Sequence, residues 1–120
     1  QAGATTTATV SSYLEDVHQA VLAYEGRRSD KRTVVTEFGW VADYRSATYA
    51  ADQARQAQNL RTTYTVLRAT PYVTRGYWFS VQDVEEGNVF YGLVENNYGT
   101  SGQDLTRAKP AFLAYQEAAR

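Results

Sequence analysis

Glu37 stands in "RTVVTEFGWVADY" (32–44), where a run of β-branched residues carries the chain straight into a carboxylate. A second stretch, "WFSVQD" (78–83), closes another strand-like run with an indole and a carboxylate. In parallel α/β folds the carboxyl ends of strands face the ligand crevice, so residues there meet substrate rather than the core. Two neighbouring strand ends then set a carboxylate beside a large aromatic face. That pairing suits a sugar, because a carboxylate can stabilise or attack an oxocarbenium-like carbon while an indole covers the apolar face of a pyranose. Glu37 and Trp78 are the leading candidates. Trp40 either lines a sugar subsite or packs on the following loop. Asp83, Glu85 and Glu86 could offer a further acid or be ordinary solvated loop carboxylates, and Tyr91 and Tyr98 could edge a substrate or simply pack. Arg75 is expected to face solvent or a helix, and His18 to be an exposed helical residue without catalytic duty.

Composition narrows the chemistry further. The 120 residues carry a formal net charge of −1, with 43% hydrophobic and 21% charged residues, so nothing in the bulk charge selects nucleic acid or an anionic membrane. With no cysteine and one histidine, thiol nucleophiles, thiolate metal sites and clusters of histidine ligands are excluded, and no cofactor is implied. No apolar run reaches the roughly 20 residues of a membrane-spanning helix. The opening "QAGATTTATV" has neither a basic start nor an apolar segment of the secretory kind, so a secreted location stays open without a visible signal. Ten tyrosines and two tryptophans supply rings that sugar clefts and protein interfaces both use, so their number alone decides nothing.

The elements that must position these residues follow from periodicity. Residues 1–9 are small and Thr-rich and read as a loop or frayed end. Ser12 and Glu15 form a capping-box pattern, and Val10, Tyr13, Leu14, Val17, Val21 and Tyr24 recur at helical spacing, predicting a helix over 10–25 that stops at Gly26. "TVVTEF" predicts a strand over 33–38 covered on both faces, as in a parallel sheet. A helix over 48–69 carries an apolar stripe of Ala50, Ala54, Ala57, Leu60, Tyr64 and Leu67. A second strand is predicted over 73–80, a Gly- and Asn-bearing loop with a short hairpin over 84–108, and a last helix over 110–119 opened by Pro110. The order is that of βαβ units with a right-handed crossover, which makes the fold class α/β.

The elements "VVTEFGW", "QARQAQNLRTTYTVLRA", "RGYWFSVQD" and "YGLVENN...AKPAFLAYQEAA", in this order over residues 10–119, resemble the clan-A-type retaining glycoside hydrolases with a (β/α)8 barrel. Cellulases, mannanases, exo-glucanases and β-xylosidase-like enzymes belong to that group. The resemblance implies a partial TIM barrel: the last two βα units, strands seven and eight, with the preceding helix. It implies that Glu37, in "TEFG", is the catalytic nucleophile and that Trp78 lines the innermost sugar subsite; Trp40, Asp83 and Tyr91 are expected beside them as further substrate-binding residues.

The family's acid/base, a second glutamate in an Asn-Glu pair ending the fourth strand, has no counterpart in the chain. A whole barrel takes about 250 residues, and retaining hydrolysis needs two carboxyl groups about 5 to 5.5 Å apart. The resemblance therefore implies the C-terminal portion of a glycosidase acting on a polysaccharide or oligosaccharide, inactive alone. Its partners would be the carbohydrate and either the missing N-terminal barrel portion or a second copy, since cut strand edges call for pairing. Two other readings remain: a non-catalytic carbohydrate-binding module built on Trp78, Trp40 and tyrosines, and a self-associating partial barrel without ligand.

Overall fold

The computed structural model describes residues 2–95 and 107–120. Among them the chain forms helix α1 (Ala2–Glu25), strand β1 (Thr33–Phe38), helix α2 (Tyr49–Ala69), strand β2 (Val73–Trp78) and helix α3 (Pro110–Ala118). β1 and β2 pair in parallel as an open two-stranded sheet, with α2 as the crossover between them, so the chain is a small α/β structure containing a βαβ unit.

α1 corrects the sequence reading. It begins at Ala2 rather than near residue 10, so residues 1–9 are not a loop up to the capping-box position, and Ser12 lies inside the helix. Threonine is a weak helix former, but tertiary context overrides that preference. The Thr6 hydroxyl donates to Asn59 Oδ1 of α2 at 2.8 Å, tying the first turns to a neighbour. The far end is as expected: Gly26 takes φ +92°, which favours glycine, and its N–H closes on the Leu22 carbonyl at 2.9 Å.

The strands are less covered than an internal barrel strand. No residue of β1 or β2 is buried. Val35, Phe38 and Val73 pack against Leu14, Val66 and Leu67 of the two helices, whereas Val34 and Tyr77 remain about half exposed. One face meets helices and the other is open, which corrects the expectation of cover on both. β2 ends at Trp78, short of residue 80, although Phe79 N–H still donates to the Phe38 carbonyl at 2.8 Å. The Phe79–Ser80 peptide bond is cis.

α2 also departs from its predicted stripe. Ala57, Leu60 and Leu67 are buried and Tyr64 is half-buried, but Ala50 and Ala54 are exposed. Gln56, Asn59 and Thr63 are buried in their place. The inward face is partly polar because it meets loops as well as helices. Ala57 and Leu60 join Leu93, Val94, Ala111 and Ala114 in a core cluster between α2, the closing segment and α3. Pro110 opens α3 as its first residue, as expected. The short hairpin is present too: Val84 and Val89 exchange hydrogen bonds of 2.8 and 2.9 Å around a turn in which Gly87 and Asn88 take positive φ.

Candidate active site

The site begins with an irregularity of register. β1 spends three steps from Val35 to Phe38 where β2 spends two from Gly76 to Trp78. An extra residue breaks the strict alternation of side chains and re-aims one of them. Val35 and Phe38 therefore both pack toward the helices, and the Glu37 side chain is left exposed at the carboxyl end of β1. It lies on the rim of a cleft of about 220 Å³, whose other walls include Val10, Tyr13 and Leu14 of α1 and Phe38 and Trp40 after it. Glu37 is the one carboxylate among the lining residues.

Trp40 and Trp78 come together beside it. Their rings lie 6.1 Å apart and are inclined by 28°, close to stacking. Phe38 braces both edge-on, at 6.3 Å from Trp40 and 5.7 Å from Trp78, and meets Tyr64 of α2 at 5.1 Å. Burial pushes the Tyr64 phenol up to about 12, so it stays a neutral packing group. The Trp78 indole Nε1 donates to the Tyr91 carbonyl at 3.0 Å. Tyr91 itself is half-buried, its ring tilted against Phe79 at 5.9 Å. Glycine is required where the strands leave the sheet, since a Cβ on Gly39 would strike the Phe79 carbonyl oxygen.

Asp83 is a correction. Its side chain is wholly buried and paired with the equally buried Lys109, Oδ2 to Nζ at 2.6 Å. Oδ1 accepts the Gly92 N–H at 2.7 Å, and Lys109 Nζ also donates to the Ala42 carbonyl at 3.0 Å. Burial pushes the Asp83 carboxyl up, against the pull of the ammonium beside it. A carboxylate sealed this way joins loops and meets no sugar. Glu85 and Glu86 lie exposed in the hairpin turn, and Arg75 faces solvent. His18 corrects another expectation: it is half-buried, its ring stacked on Tyr72 at 3.9 Å. Tyr98 lies outside the described residues.

Several structural groups around the site carried no signal in the sequence reading. Gln56 is fully buried on α2 and donates through Nε2 to the Trp40 carbonyl at 2.7 Å and, at a longer 3.4 Å, to the Gly92 carbonyl. Lys109 was visible only as the residue before Pro110. Glu95 accepts from the Tyr49 hydroxyl and pairs with Arg107 at 2.8 Å. Partial burial works against its carboxylate, but Tyr49 and Arg107 outweigh burial and hold it below the usual range. Among the described residues no group of three or more histidine, aspartate or glutamate side chains could hold a metal ion.

The arrangement offers one exposed carboxylate, an aromatic platform beside it and a set of loops stitched from beneath. Comparison with family models, curated proteins and solved structures finds no match.

Proposed function

We propose that this chain contributes the C-terminal part of a retaining β-glycoside hydrolase barrel, with Glu37 as its nucleophile and the Trp40–Trp78 pair as part of its sugar-binding wall. The observation that carries the reading is the exposed Glu37 carboxylate at the carboxyl end of a parallel strand, on the rim of an aromatic-walled cleft. In the reaction the carboxylate attacks the anomeric carbon, the glycosidic bond breaks, and the leaving oxygen takes a proton from a general acid. Water then cleaves the glycosyl ester, returning the carboxylate. The acid has to stand about 5 to 5.5 Å from Glu37, on strands that complete the barrel. The open sheet, with exposed Tyr77 and Val81 beside its end, suits such completion.

The test is complementation. The chain is mixed with the N-terminal portion of a clan-A-type barrel and given an activated 2-fluoro glycoside, whose good leaving group needs little proton assistance. Mass spectrometry should find the sugar on the peptide bearing Glu37, and Glu37→Gln should abolish the label. Labelling that ignores Glu37, or turnover that survives its loss, would remove the nucleophile assignment. A second reading, self-association without catalysis, is favoured by the same open strand edges. Sedimentation at rising concentration separates the two, since a compact monomer at high concentration excludes it.

A further inference from the structure

Trp40 and Trp78 sit on different strand ends, yet both are tethered to one buried polar cluster. Gln56 Nε2 holds the Trp40 backbone carbonyl at 2.7 Å and approaches the Gly92 carbonyl at 3.4 Å. The Gly92 N–H is held by Asp83 at 2.7 Å, and Asp83 is fixed by Lys109 at 2.6 Å. Lys109 reaches back to the Ala42 carbonyl, two residues beyond Trp40. The Trp78 indole hangs on the carbonyl of Tyr91, the residue before Gly92. Gly92 is thus linked to Trp78 through Tyr91, and Gln56 is linked directly to Trp40 and, through the longer contact with Gly92, to Trp78. Space is equally constrained, because a Cβ on Gly92 would collide with the Asp83 backbone nitrogen.

The Gln56 amide has one sensible orientation. Its Oε1 is buried without a hydrogen-bond partner, while Nε2 faces two carbonyl oxygens. Turning the amide over would set three oxygens against one another in the interior. An unpaired buried acceptor carries a cost, and the gain that accompanies it here is a fixed bridge between two loops.

We infer that Gln56 is a positioning residue: its amide, backed by the Asp83–Lys109 pair, sets the placement of Trp40, which lines the Glu37 cleft, relative to Trp78 beside it. The inference depends on the proposed function for the use of that pair, as a sugar-binding wall, but the placement itself is read without sugar. Two indoles 6.1 Å apart couple their transitions, and because the rings are inclined by 28° rather than parallel the coupling gives a far-UV exciton couplet in circular dichroism that Trp40→Phe or Trp78→Phe removes.

The experiment compares Gln56→Met, which keeps the length and loses the donor, with Gln56→His, which keeps a nitrogen donor at similar reach. Far-UV dichroism is recorded well below each variant's melting temperature, followed by titration with cello-, manno- and xylo-oligosaccharides. Gln56→Met should lose more than half of the couplet while melting cooperatively, and Gln56→His should retain most of it. A full couplet in Gln56→Met overturns the inference, as does its loss in both folded variants. Loss of cooperative melting in both makes Gln56 a residue of general stability, which also overturns it. If the couplet behaves as expected but no oligosaccharide binds even the parent chain, the placement role stands and the sugar role of the tryptophan pair falls.

Discussion

Replacing Lys109 by methionine removes the charge beside Asp83 while keeping a long, flexible side chain in the same space. Both partners are wholly buried and 2.6 Å apart, so the substitution strands a carboxylate in the interior and also frees the Ala42 carbonyl. Breaking a buried pair from one side costs about 3 to 5 kcal/mol, a large share of the 5 to 15 kcal/mol that holds a domain together. With an m-value of about 2 kcal/mol/M, the urea midpoint should fall by roughly 2 M. The loss should depend on pH with a definite sign. Burial already pushes the Asp83 carboxyl above its ordinary value of 3.8, and removing the ammonium pushes it further. The folded variant then binds a proton that the unfolded chain releases, so its stability falls as pH rises from the unfolded value toward the raised folded one. The deficit should be smaller at acid pH and larger at alkaline pH. Adding Asp83→Asn removes the second charge, keeps an acceptor for the Gly92 N–H and should recover more than half of the loss. A deficit below about 1 kcal/mol, as for a surface pair, or one equal at acid and alkaline pH, would refute the picture of a sealed pair.

Glu37→Gln should leave the urea midpoint nearly unchanged, within about 0.5 kcal/mol, because the side chain is exposed, while abolishing glycosyl labelling in the complemented barrel. Gly39→Ala should destabilise by about 1 to 3 kcal/mol, since its Cβ would occupy the place of the Phe79 carbonyl oxygen; unchanged thermal melting would show that the two loops separate freely. Glu95 has a folded pKa held below its ordinary value of 4.5, so its contribution is present above that value and disappears as pH falls through the lower folded one. Arg107→Ala should weaken that acid-side loss, measured as a shallower fall of denaturant midpoint between neutral and acid pH; an identical acid limb would count against the Glu95–Arg107 pair.

The parts of the fold that were readable are those that local chemistry decides. "TVVTEF" is β-branched enough to be a strand in any context, Pro110 opens α3 by its fixed φ, and Gly26 ends α1 by adopting a positive one. What could not be read depends on contacts between distant residues. The threonines before Val10 are helical with a hydroxyl among them seated on Asn59, which no window around them contains. The same holds in the site. Glu37 was visible because a charge closing an apolar run is a local anomaly. Asp83 has the same appearance, a carboxylate at a strand's end, and is instead a buried brace, because its partner lies across the fold just before α3. Gln56 stands among alanines on α2 with nothing nearby to mark it as the donor to Trp40.

α1 is 24 residues long, yet Leu14 is its only buried residue among those whose side chains are described. Tyr13 is 69% exposed and Val17 51%, and the helix's ties to the body include Val10 packed beside Leu14, the Thr6–Asn59 hydrogen bond, the His18–Tyr72 stack and a 3.3 Å Tyr72–Glu15 contact. Such a helix can leave the body without opening the cluster around Leu60, Leu93 and Ala111. Its amide hydrogens should exchange with solvent well ahead of those of α2, through a partial opening far cheaper than global unfolding. One wall of the Glu37 cleft is built from that helix, so the cleft exists only in the fraction of molecules in which α1 is docked. A ligand filling it draws the helix in, and slower exchange at Val10 to Leu14 then reports occupancy without any chemical step.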